Sequence, residues 1–81
     1  MNINEAFQIA VKTRLNKRNW TKYDLAQKAD MAESSVYSVF RVGHRVTMVT
    51  ADKIAEALGV TLALLIKEAK TIQAQKVDWY E

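Results

Sequence analysis

The sequence predicts an all-α domain, on three observations. Apolar residues recur at three- and four-residue spacing through most of the 81-residue chain. Thr21, Thr47 and Thr61 stand where such runs begin, as N-capping residues do, and Gly43 and Gly59 stand where runs end. Five helices account for residues 3 to 70, and their apolar stripes supply one core.

The first helix begins near Asn2 or Asn4, either of which can cap it, and runs to about Lys17. Ile3, Phe7, Val11 and Leu15 repeat every four residues on its inner side, with Lys12, Lys17 and Arg18 facing outward. The second helix has the clearest start. Thr21 with Asp24 three residues on resembles a capping box, and Trp20 can staple against Leu25 while filling the core between the first two helices. Leu25, Ala26 and Ala29 lie at core spacing, and the small alanines allow another helix to cross closely.

A corner follows at Ala29-Asp30-Met31, where the chain needs a left-handed residue; Asp30 stands in the place usual for Gly. The third helix starts at Ala32, which offers no side-chain oxygen to the free backbone N–H groups. At about 100° per residue, Ser34, Tyr37, Ser38 and Arg41 line one side of it and Val36, Val39 and Phe40 the other. Gly43 reads as its terminator. Thr47 caps the fourth helix, with Met48, Ala51, Ile54, Ala55 and Leu58 as its apolar stripe up to Gly59. Thr61 caps the fifth, with Leu62, Leu65, Ile66 and Ala69 inward.

Residues 71–81, TIQAQKVDWYE, show no regular period, yet Val77, Trp79 and Tyr80 are too apolar for a purely disordered tail. The organisation expected is a domain over 1–70 and a short C-terminal tail over 71–81. Met1 reads as a natural start.

Composition narrows the function classes. The chain has no cysteine and one histidine, which leaves no disulfide framework, no thiolate zinc site and no cysteine nucleophile, and makes a metal cluster improbable. Ser34-Ser35 with the distant His44 lacks the oriented base, nucleophile turn or glycine-rich loop of a hydrolase, so the chain is read as non-enzymatic and without cofactor. Its apolar runs are too short to span a membrane and its first residues lack a signal-peptide layout, which makes the cytoplasm the expected location. Residues 1–45 hold eight Lys/Arg against four acids, whereas residues 46–81 hold four Lys against five acids. The basic half contains the corner, as phosphate contact would require.

Two short helices meeting at a tight corner within Lys22–Arg41, the second of them two-faced, make the layout of a helix-turn-helix, whose second helix enters the DNA major groove. From Phe7 to Leu65 the chain resembles the lambda-repressor-like Cro/CI (XRE) family of helix-turn-helix proteins. The markers are Thr21-x-x-x-Leu25-Ala26-x-x-Ala29, Val36 with Val39, Gly43-His44-Arg45, and Lys53-Ile54-Ala55-x-x-Leu58-Gly59-Val60-Thr61-Leu62.

The resemblance implies a compact five-helix lambda-repressor-like fold. It implies that Lys22 contacts phosphate, that Glu33, Ser34 and Ser38 read base edges, and that Arg41, His44 and Arg45 clamp phosphate. Ser35 and Tyr37 complete the expected DNA-facing set. Tyr37 has two readings, stacking on a thymine methyl or sugar and shielding Phe40; His44 has two as well, DNA contact and a local hydrogen bond. Three positions depart from the family: Asp30 replaces Gly, Ala32 replaces a Ser cap, and Phe40 replaces a Glu, leaving Arg14 without that partner.

The expected function is sequence-specific transcriptional regulation by a small repressor of phage or mobile-element type, bound to double-stranded DNA as a homodimer on a palindromic operator. The rival is an antitoxin-like interaction module that grips a protein partner and autoregulates through its helix-turn-helix. Leu64, Ile72 and the Val77, Trp79, Tyr80 tail are the candidate surface for a second copy or a partner; the tail could equally cover its own core.

Overall fold

A computed structural model describes the backbone of residues 1–78 and the side chains of residues 1–75. It contains α1 (Ile3–Arg18), α2 (Lys22–Ala29), α3 (Glu33–Val39), α4 (Met48–Ala57) and α5 (Leu62–Asp78), and no strand among the described residues. α1 packs on α5, α2 on α3 and α4, and α4 on α5.

Helix starts follow the capping chemistry. Asn2 accepts from the Glu5 N–H at 2.9 Å, Thr47 from Thr50, and Thr61 from Leu64. At α2 the capping box is complete: Thr21 Oγ1 accepts from the Asp24 N–H, and Asp24 Oδ2 accepts from the Thr21 N–H at 2.8 Å. α3 alone among these lacks a side-chain cap, because Ala32 occupies the position.

Three helix ends share one device. At Asn19, Asp30 and Gly59 the chain turns left-handed, with φ of 57°, 53° and 74°. The next residue's N–H then returns to the carbonyl five back: Trp20 to Leu15, Met31 to Ala26 and Val60 to Ala55. Asn and Asp tolerate this conformation better than other non-glycine residues, so the Asp30 corner forms as expected.

The core is built from Phe7, Val11, Leu15, Leu25, Val36, Val39, Ile54, Leu58 and Leu65, closed by Ala6, Ala10, Ala26, Ala51, Ala55 and Ala69. The alanines at 6 and 10 widen the inner stripe of α1 beyond the four-residue repeat and let α5 approach closely. Burying each large aliphatic side chain contributes about 1.5–3 kcal/mol.

Several expectations require correction. Ile3, Met48 and Ile66 are 37%, 78% and 36% exposed, because Ile3 and Met48 occupy first turns beyond the edge of the core and Ile66 lies on the rim of the α5 stripe. Arg18 does not point outward: its Nη2 donates to the Leu58 carbonyl at 2.6 Å, and its guanidinium lies over the Trp20 ring. α3 ends at Val39, four residues before Gly43, which instead takes φ 80° in the following turn. The irregular segment expected after residue 70 is helical as far as Asp78, and Ile72 packs against the core. The side chains of Val77, Trp79 and Tyr80 lie outside the described residues.

Arg14, which lacks an acid at position 40, pairs elsewhere. Its Nε donates to Glu68 Oε1 at 2.9 Å and its Nη2 to Oε2, a two-pronged bond joining α1 to α5. The Arg14 hydrogen bonds hold the Glu68 carboxyl below its ordinary pKa, assisted by the charges of Arg14 and Lys17 and opposed by partial burial.

Two predictions follow from these contacts. Ala32→Ser supplies the missing oxygen at the start of α3 and should raise stability by about 1 kcal/mol in urea unfolding, while an unchanged midpoint would contradict the cap assignment. Glu68 is more acidic folded than unfolded, so its contribution is complete above the unfolded value of about pH 4.3 and fades as pH falls through the lower folded value. Solvent screening keeps the pair at about 1 kcal/mol or less, and the stability gap between wild type and Glu68→Gln should therefore close on acidification. A gap that persists unchanged down to about pH 3 would contradict the pairing.

Candidate nucleic-acid interface

α3 is anchored by Val36 and Val39, which are fully buried, and this fixes which of its sides faces outward. Glu33, Ser34, Ser35 and Tyr37 are exposed and Ser38 is half-buried. Ser38 Oγ donates to the Ser34 carbonyl at 2.9 Å and accepts from Arg41 Nη2 at 3.3 Å. Arg41 lies beyond the helix, yet this bond carries its guanidinium back alongside the outer face.

Lys22, the first residue of α2, brings its ammonium to 5.3 Å from the centre of the Tyr37 ring and 4.9 Å from that of Phe40. Such cation–π contacts contribute about 0.5–1 kcal/mol at exposed sites and leave the charge intact. Phe40 thus gives the α2 cation an aromatic seat. Tyr37 meets the Lys22 ammonium and remains 48% exposed.

Beyond α3, the His44 N–H donates to the Arg41 carbonyl at 3.1 Å and Gly43 supplies the positive φ of the turn. Arg45 is exposed and His44 half-buried. Both line a cleft of about 320 Å³ with Ser35, Ser38, Thr47 and Thr50. Among the described residues the only ion pair is Arg14 with Glu68, so no described acid neutralises Lys22, Arg41 or Arg45.

Every residue of the expected DNA-facing set therefore falls on α3, on the loop after it, or at the α2 end packed against it. A Helix-turn-helix family model matches residues 11–65, from within α1 to the first turn of α5. The chain belongs to the XRE-type helix-turn-helix family. It is a DNA-binding transcription regulator of that type. No curated protein and no solved structure matches it. No described helix is long and apolar enough to cross a membrane, and no group of described residues is arranged to hold a metal ion.

Sequence reasoning missed part of this XRE-type surface. Thr47 was legible only as a cap, although it also lines the cleft with Thr50. Val42, 96% exposed at the loop tip between Arg41 and Arg45, carries no periodic signal because it lies outside any helix. The long-range bonds from α1 to this loop were likewise invisible. Asn4 Oδ1 accepts from the Val46 N–H at 3.1 Å, across 42 residues.

Ser38 bonds back to its own helix, a contact that slightly disfavours helix interiors. Ser38→Ala should therefore leave the unfolding free energy within about 0.5 kcal/mol of wild type. A markedly larger loss would show that the hydroxyl supports the fold itself.

Proposed function

We propose that this chain is a small sequence-specific repressor of phage or mobile-element type that binds a roughly palindromic operator as a homodimer. The observation that carries the reading is the pairing of a buried Val36/Val39 side with an uncovered outer face on α3, next to whose C-terminal half stand Lys22, Arg41 and Arg45, none of them paired with an acid among the described residues. A helix so arranged can lie in a major groove, about 12 Å wide, while the cations beside it meet backbone phosphate.

The roles follow from side-chain chemistry. Ser34, Ser35 and Ser38 donate or accept at base edges, and Glu33 accepts from a cytosine amino group. Tyr37 offers its ring edge to a thymine methyl or a sugar. Lys22, Arg41, His44 and Arg45 meet phosphate, and Arg41, beside Ser38, can also reach a guanine. Short serines read weakly, so part of the discrimination comes from DNA shape.

One copy supplies one reading helix, and two half-sites about 34 Å apart require a second. The exposed side of α5, with Leu64 41% exposed, is the proposed contact between copies.

The test is titration of the protein onto a randomised duplex pool at two salt concentrations, followed by sequencing of the recovered DNA. Enrichment of a two-fold-symmetric site is expected, with Arg41→Ala plus Arg45→Ala lowering the log–log salt slope by roughly 2. Binding with no enriched sequence would overturn the operator reading and favour a protein-gripping, antitoxin-like role. An enriched site without symmetry would overturn the dimer.

A further inference from the structure

α3 and the turn after it receive a support from α1 that no capping rule supplies. Gln8 Nε2 donates to the Val39 carbonyl at 2.7 Å and to the Arg41 carbonyl at 3.2 Å, spanning 31 and 33 residues. Both partners are acceptors, so only the two N–H bonds of the amide, not its oxygen, can face them. α3 ends without a glycine cap and with no basic residue in its last turn; the Arg41 carbonyl also accepts from the His44 N–H at 3.1 Å, whereas the Val39 carbonyl has Gln8 as its partner.

The bonds fall on either side of Phe40 and hold the peptide segment from which the Arg41 side chain departs. That side chain then returns to Ser38 Oγ, which is itself tied to the Ser34 carbonyl. A chain of hydrogen bonds thus runs from α1 through the end of α3 to its outer face.

We propose that Gln8 is a positioning residue for DNA recognition: by clamping the Val39 and Arg41 carbonyls, it sets where the Arg41 guanidinium stands relative to the bases read by α3. Gln8 touches no DNA in this account, and its effect passes through Arg41. The proposal rests on the operator-binding reading above. It predicts that losing the clamp lowers affinity for the correct site more than for arbitrary DNA, since phosphate attraction tolerates a displaced arginine and base readout does not.

The experiment measures binding of the full chain, by fluorescence anisotropy, to the duplex enriched from the random pool and to a scrambled duplex of equal length. Gln8→Met keeps the bulk and removes both donors. It should weaken binding to the enriched duplex about tenfold and leave the scrambled duplex within about twofold. In an Arg41→Ala background the same change should cost almost nothing, because the residue it acts through is gone. Gln8→Lys, whose ammonium again offers N–H donors to both carbonyls, should recover most of the ratio.

Equal weakening on both duplexes, or full additivity with Arg41→Ala, would overturn the positioning role and leave Gln8 a purely structural contact. If Gln8→Met is unfolded at the assay temperature, Gln8→Asn, one methylene too short to span both carbonyls, takes its place with the same two outcomes. Failure of the wild-type protein to discriminate between the duplexes would instead defeat the operator reading itself, and the positioning role with it.

Discussion

A helix of seven residues cannot stabilise itself. Nucleation fixes several residues for one hydrogen bond, and two turns return too few bonds to offset that cost. α3 is such a helix, and it begins at an alanine without a capping oxygen. Its conformation is imposed from outside, by burial of Val36 and Val39 against the common core and by Gln8, which meets the carbonyls of Val39 and Arg41. Everything offered on the outer face inherits its position from these contacts.

α1 is the element that makes this support rigid. Along its inner side Phe7, Val11 and Leu15 fill the core, while Ala6 and Ala10 allow α5 to lie close. Its polar residues reach in other directions: Asn4 to the loop before α4, Gln8 to the end of α3, Arg14 to Glu68 on α5, and Arg18 to the end of α4. Arg14 pairs with Glu68, and Phe40 joins Tyr37 beneath the Lys22 ammonium.

How far the sequence alone revealed this differs by element. Thr21 with Asp24, Thr47 and Thr61 act through neighbours three residues away, so their caps were readable from local spacing, as was the left-handed Asp30. Boundaries set by tertiary contacts were not. α3 stops at Val39 because Gln8 and the turn at Arg41 take over its carbonyls, and Gly43 only marks a later turn. Ile3, Met48 and Ile66 share the period of the core yet lie at its margin, a distinction that periodicity cannot make. Residues 71–78 carry no clean apolar repeat; they extend α5, with Ile72 against the core and the Gln73 amide donating to the Met1 carbonyl. At the candidate interface, residue types and faces were legible, whereas Asn4, Gln8 and Thr50 became visible only once the chain was folded.

The central claim is that the outer face of α3, with Lys22 and the Arg41–Arg45 loop, is the surface offered to DNA. It is tested most directly by titrating the ¹⁵N-labelled protein with duplex DNA and mapping the amide shifts by nuclear magnetic resonance. The account predicts that the largest changes fall at Lys22, along Glu33–Ser38 and across Arg41–Arg45, with the exposed residues of α5 changing only where a second copy meets them. Changes concentrated on α5 and the outer side of α1, with α3 undisturbed, would contradict it.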